Sequence, residues 1–235
     1  MGEFLHSFFS PLGIRRAVPQ VWDGFQINIK MMVIAELLVL VFALAVAIVR
    51  GLPGRAALPL RALAIAYTDF FRGTPLILVA YVWGLGVPAL RAGFISNQSL
   101  FTYGIVALTL VYTAYVTEVY RAGIESVHPS QRMAARSLGL TYAQALRHVV
   151  LPQAIRRVVP PLLNDFIGLQ KDTAIITVIG VTEALAQAGF YSNDFFLYAG
   201  FTVAAIFFVF LTIPLARFTD HLIAERELRE RALGQ

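Results

Sequence analysis

Residues Met31 to Val49 read MMVIAELLVLVFALAVAIV, nineteen positions with one charged member, Glu36. An α-helix rises about 1.5 Å per residue, so about 20 apolar residues are needed to cross about 30 Å of hydrocarbon. With the residues from about Ile27 the stretch meets that length. It stops at Arg50, where Gly51-Leu52-Pro53-Gly54 provides a turn. A soluble core would need shorter apolar segments. Composition agrees with a membrane solvent: 58% of the 235 residues are hydrophobic and 14% charged, against about 25% charged in soluble domains.

Four further spans fit outward from the first. The second lies between about Leu58 and Leu90, longer than one crossing and interrupted by Asp69, Arg72 and Gly73-Thr74-Pro75. The third runs from about Leu100 to Tyr120. A fourth starts near Val149 and continues past Pro160-Pro161 towards Ile179, and the last covers about Phe195 to Phe218. The expected fold class is therefore all-α, a polytopic membrane protein of about five transmembrane helices. No long apolar stretch precedes the first span, which is expected to serve as an uncleaved insertion signal.

Charge asymmetry orients the chain. Arg50–Arg72, Arg121–Arg157 and Arg217–Arg231 hold four, six and four of the 19 Lys and Arg; Arg15, Arg16, Lys30, Arg91 and Lys171 are the remaining five. An odd number of spans puts those sets on opposite sides, so the positive-inside rule predicts an outside N-terminus and a cytoplasmic C-terminus. It also makes the long loop after span three cytoplasmic. The expected divisions are residues 1–20 as an N-terminal extracytoplasmic segment, 21–218 as the transmembrane domain with its loop at about 122–151, and 219–235 as a cytoplasmic tail. In the tail Glu225–Arg229 and Glu227–Arg231 have the favourable i,i+4 order for a short solvated helix.

The loop has helical grammar. Pro129 or Ser130 opens a helix that Gln131-Arg132-Met133-Ala134-Ala135-Arg136-Ser137-Leu138 continues, and Gly139 suits a left-handed terminator. Thr141 stands three before Gln144, the spacing of a capping box that begins a second helix through Ala145, Leu146 and Arg147 towards Leu151-Pro152. Ala134, Ala135, Leu138 and Leu140 give the first helix a small apolar surface. Two readings of that surface stay open on grammar alone: a helix lying on lipid headgroups, or one seated in a groove of another protein.

A resemblance favours the groove. Ala114-Tyr115-Val116-Thr117-Glu118-Val119-Tyr120-Arg121-Ala122-Gly123-Ile124-Glu125-Ser126-Val127, then Ala134-Ala135-Arg136-Ser137-Leu138-Gly139-Leu140, then Leu151-Pro152-Gln153-Ala154, resembles the permease subunits of bacterial ABC importers for polar amino acids. These are the histidine, glutamine and arginine permease group of the binding-protein-dependent transporters. Phe71-Arg72-Gly73-Thr74-Pro75-Leu76 and Lys171-Asp172-Thr173 are similar to two further motifs, in the family's order, over roughly Arg61 to Leu185.

The resemblance implies that the loop is a coupling helix gripped by an ATP-hydrolysing subunit, with Gln131, Arg132, Met133, Ala134, Ala135, Leu138 and Gly139 as the coupling residues. Two positions depart from the pattern: Met133 stands where the family has glutamate, and Ser130 where it has glycine. The expected partners are two ATPase subunits carrying ATP and Mg, a second permease chain that is identical or similar, an extracytoplasmic solute-binding protein, a polar amino acid and membrane lipid. The expected location is the cytoplasmic (inner) membrane. Arg72-Gly73-Thr74-Pro75 reads as a proline kink with Arg72 snorkelling, a gate, or a contact with the other permease.

Ionisable residues at bilayer depth are costly and usually face a bundle interior or a water-filled path. Glu36, Glu118, Asp165 and Asp172 are the candidates, with Asn164 and Lys171 nearby. Glu118, Asn164, Asp172, Lys171 and Glu36 are the expected substrate path, carboxylates favouring an ammonium. Glu118 and Arg121 can also form a simple ion pair, and Asn164-Asp165 can bond across helices. Lys171-Asp172-Thr173 reads as a gate or a re-entrant packing loop at a break after the double proline and Gly168.

Other classes fit poorly. Cysteine is absent, which excludes disulfides and thiolate chemistry. Lys30 and Lys171 lie outside any P-loop pattern, so no nucleotide cofactor site of that type is expected in this chain. His6, His128, His148 and His221 have no metal-ligand spacing, so neither a catalytic nor a metal site is expected. An ion-coupled secondary transporter is the alternative, but its inverted repeat is not visible. The net charge of +5 follows membrane sidedness, so nucleic acid is not an expected partner.

Overall fold

The computed structural model describes residues 2–232, with no strand among them. In chain order the helices are α1 (Gly2–Phe9), α2 (Pro11–Arg50), α3 (Leu58–Gly73), α4 (Leu76–Tyr81), α5 (Val87–Ala89), α6 (Leu100–Glu125), α7 (Pro129–Ser137), α8 (Tyr142–Ala145), α9 (Leu151–Asp172), α10 (Ala184–Phe195) and α11 (Ala199–Ala232). A wide turn at Val82–Gly86 fuses α4 to α5, and another at Leu146–Val150 fuses α8 to α9. Three helices are long and apolar enough to cross a membrane unbroken: α2, α6 and α11. Two bent pairs, α3 with α4–α5 and Leu146–Ile179 with α10, give up to five crossings by length and composition when each pair is one span.

The stretch Met31–Val49 lies inside α2, whose 40 residues extend about 60 Å, twice the hydrocarbon thickness. Ser10 opens α2: its hydroxyl accepts from the Gly13 amide at 3.3 Å, with Pro11 in the first turn. The boundary expected at residue 20 therefore falls within a helix. Residues 2–20 join the bundle. Ala17, Val21 and Phe25 bury against Ala184, Ala188 and Tyr191 of α10 and against Ala199 and Val203 of α11. Tyr191 donates to the Gly13 carbonyl at 3.0 Å and Thr202 to the Phe8 carbonyl at 2.8 Å. Small buried residues at helical spacing, with Arg15 and Arg16 exposed opposite, hide this face from a search for unbroken apolar runs.

Further along α2, Ala35, Val39 and Ala43 repeat every fourth residue and pack on Leu108, Val111 and Val116 of α6. Of the most apolar stretch of α6, 67% is buried inside the chain, against 28% for α2 and 22% for α11. That makes α6 the central helix and leaves the other two facing outward.

The Arg72-Gly73-Thr74-Pro75 segment is more than a kink, since α3 and α4 meet at 105°. Thr74, the residue before proline, is extended at φ −102°, ψ 125°, as the clash with the proline ring requires. Its hydroxyl donates to the Phe70 carbonyl at 2.7 Å, closing the last turn of α3.

Pro160 and Pro161 do not break the fourth span, because α9 runs through both to Asp172. Gly123 of α6 holds this region close: a Cβ there would lie 2.1 Å from Val158 Cγ1. The change of path comes later. The chain tightens into a 3₁₀ turn over Thr173–Ile179 and reverses at Gly180, φ +95°, before α10 starts.

The last span continues as a helix to Ala232. The side chains of Arg226, Glu227, Arg229, Glu230 and Arg231 lie outside the described residues, and the Glu225–Arg229 and Glu227–Arg231 pairs with them.

Candidate functional site

Three places concentrate polar chemistry in an otherwise apolar bundle, with α7–α8 projecting from one end. The first lies between α2, α6 and α9. On α9, Asp165 and Asp172 are seven residues apart, so both project from one side. Asn164 and Lys171 form the neighbouring, exposed stripe. Gly168 sits between the two aspartates, and a Cβ there would lie 3.0 Å from the Tyr112 hydroxyl. That missing side chain lets Tyr112 reach across from α6 and donate to Asp172 Oδ2 at 2.8 Å. Asp165 Oδ2 is buried without a hydrogen-bond partner among the described residues. Glu36 of α2 lies within electrostatic range of Asp165. Three half-buried carboxylates thus line one seam, Glu36 within range of Asp165 and Asp172 two turns, about 10 Å, further along α9, where Lys171 is the cation within electrostatic reach.

Glu118 belongs to a different arrangement. It stands six residues beyond Tyr112, about 9 Å further along α6. Arg50 of α2 bonds to Glu118 Oε1, Arg121 reaches Oε2 at 2.8 Å, and Arg72 of α3 stands 3.9 Å from Oε1. Arg50 also donates to Thr68 Oγ1 at 2.9 Å. The side chains of Arg50 and Glu118 are 13% and 17% exposed, so one carboxylate fastens α2, α3 and α6 largely out of water. The Glu118–Arg121 pair seen in the sequence is one edge of this knot. Arg50 and Arg72 come from other helices, and sequence spacing cannot bring them there.

Sequence reasoning missed a second knot altogether. Glu183 is fully buried and caps α10, accepting from the Leu185 and Ala186 amides at 3.0 Å each. Asn28 of α2 donates to Glu183 Oε2 at 2.9 Å and to Thr173 Oγ1 at 3.0 Å, while its carbonyl accepts from the Ala184 amide at 3.0 Å. Gly24 makes the crossing possible, since a Cβ there would lie 2.6 Å from the Glu183 carbonyl carbon. The available signal was an acid directly before the apolar-periodic run Ala184-Leu185-Ala186.

The projecting loop follows its grammar. His128 caps α7 through Nδ1, which accepts from the Ser130 amide at 3.2 Å. Gly139 ends it at φ +88°, with the Leu140 amide returning to the Ala135 carbonyl at 3.2 Å. Thr141 and Gln144 form the reciprocal capping box: Gln144 accepts from the Thr141 amide at 2.8 Å and Thr141 from the Gln144 amide at 3.3 Å. Of the expected coupling residues, Gln131, Arg132, Met133, Ala134, Leu138 and Gly139 are exposed, whereas Ala135 is buried against the chain itself. Ala135 therefore supports the helix from beneath and offers no surface. Nothing lies within 4 Å of an added Gly139 Cβ, so Gly139→Ala meets only the conformational penalty. We expect it to weaken the corner by about 1 kcal/mol, read as faster limited proteolysis of the loop with an unchanged membrane core.

A family model described as the binding-protein-dependent transport system inner membrane component matches residues 55–226. The chain belongs to this family. It is the membrane-spanning permease subunit of an ABC importer rather than an ion-coupled secondary transporter. The permease is 38% identical over 201 residues to the probable glutamine ABC transporter permease protein of Bacillus subtilis (strain 168), covering 85% of this chain and 90% of that one. It is 31% identical over 237 residues to the glutamate/aspartate import permease of Escherichia coli (strain K12), covering 97% and 94%. A crystal structure of an amino acid ABC transporter with histidines superposes with a TM-score of 0.81 at 30% identity, covering 92% of this permease and 97% of that chain. A methionine ABC transporter at 22% identity shares the fold, with a TM-score of 0.69.

Proposed function

We propose that this permease carries a polar amino acid across the cytoplasmic membrane, its ammonium received by the carboxylates between α2, α6 and α9. The observation that carries this reading is the row of half-buried carboxylates, Glu36, Asp165 and Asp172, along the seam of these helices, with Asp165 Oδ2 unpartnered among the described residues. Carboxylates at such depth attract a cation when their own chain supplies few. Relatives named for glutamine, arginine and glutamate/aspartate support the substrate class.

In this reading Asn164, Lys171 and Asp172 line the path beside Glu36, and Glu118 closes its loop end by holding three helices together. A second permease chain, identical or similar, supplies the opposite wall. Two ATPase subunits binding ATP and Mg grip α7–α8, and a solute-binding protein delivers substrate at the other face. The N-terminus lies outside and the C-terminus in the cytoplasm, as the fourteen-to-five division of Lys and Arg supports.

Uptake by the reconstituted complex in proteoliposomes tests the path. Asp172→Asn removes a charge-assisted contact and is expected to lower uptake about tenfold, with assembly intact. Asn164→Ala is expected to lower it less. Unchanged uptake in both variants rules the assignment out.

A further inference from the structure

The projecting loop carries charge of one sign. Between Glu125 and Asp165 the permease has no acidic residue, while Arg132, Arg136, Arg147, Arg156 and Arg157 all fall there. The outer face of α7–α8 holds an open cleft of about 550 Å³ lined by Arg132, Met133, Arg136, Ser137 and Tyr142. The Arg132 guanidinium sits over the Tyr142 ring at 5.9 Å, which fixes a cation at the rim. In the same cleft Met133 is 60% exposed. A helix lying on lipid separates its apolar side from its cations. Here Met133 shares one concave cleft with Arg132 and Arg136, a pattern that fits a shaped protein groove.

Resting on the importer reading above, we infer that the ATPase surface gripping α7 is an apolar pit for Met133 rimmed by Asp or Glu carboxylates facing Arg132 and Arg136. Guanidinium–carboxylate pairs at such a rim are directional and charge-assisted. The resemblance puts glutamate at position 133, where an acidic rim would repel it. Methionine there removes the conflict and fills the pit. The permease therefore selects an ATPase of opposite groove charge from one suited to a glutamate-bearing coupling helix.

The test uses the complete importer in nanodiscs of neutral phosphatidylcholine, measuring ATPase co-elution and transport-coupled ATP hydrolysis. Met133→Glu, at an exposed position, is expected to weaken association about tenfold, with partial recovery as salt screens the repulsion. Arg136→Glu is expected to weaken it as much, with recovery when a rim acid of the ATPase is changed to lysine. Unchanged or tighter binding by Met133→Glu overturns the inference while co-elution of the unaltered permease leaves the importer reading standing. Absence of any ATPase with the unaltered permease overturns both. Association that appears only when anionic phosphatidylglycerol is added assigns this face to headgroups and overturns the inference.

Discussion

Replacing Glu183 by alanine is expected to destabilise the permease by about 4 kcal/mol, enough to prevent its accumulation in the membrane. Glu183 is fully buried and accepts from the Leu185 amide, the Ala186 amide and the Asn28 side chain. Alanine leaves those three donors in an apolar interior without water, and each orphaned donor costs about 1–3 kcal/mol. The loss is also architectural. The same carboxylate starts α10 and helps pin it to α2 at the Gly24 crossing, so α10 loses its cap and, among the described residues, keeps only the Ala184 amide bond to Asn28 there. Thermal unfolding in detergent measures the effect. Glu183→Gln, which keeps an acceptor oxygen, is expected to retain about half the stabilisation. A stable Glu183→Ala protein would show that the cap is dispensable.

Removing the carboxylate of Glu118 is expected to cost about 3 kcal/mol, chiefly because it strands buried positive charge. Arg50 is the critical residue, because its guanidinium is largely buried and, among the described residues, holds only Thr68 once Glu118 is gone. Arg121 keeps its partner Glu125, and Arg72 is 45% exposed. Glu118→Ala should therefore loosen α2 and α3 from α6 more than it disturbs the end of α6. Hydrogen exchange in nanodiscs would register this as faster exchange at the last turns of α2 and α3. Uniform exchange across all helices would contradict the assignment of Arg50 as the buried cation.

The two knots differ in what a sequence reader can see. Glu118 and Arg121 are three apart on a helix, so their pairing follows from periodicity. Glu183 lies 155 residues from Asn28, and no local rule relates them. The carboxylate cluster falls between these cases. Glu36, Asp165 and Asp172 stand out individually, because charge in an apolar span is conspicuous. Their alignment along one seam is a matter of helix packing, as is the room Gly168 leaves for Tyr112 to reach Asp172. The proline positions teach a similar lesson. Thr74-Pro75 turns the chain through 105°, whereas Pro160-Pro161 leaves α9 continuous, held where α6 crosses at Gly123.

Local chemistry by itself determined the membrane solvent, the crossing segments and the capped corner at Gly139 and Thr141. Hydropathy and capping act within a few residues or along one helix, and need no knowledge of neighbours. Tertiary structure alone decided that residues 2–20 belong to the bundle, that Ala135 faces inward and that Asn28 meets Glu183. Those outcomes depend on which faces of distant helices bury each other, and burial between helices is set by the whole packing arrangement.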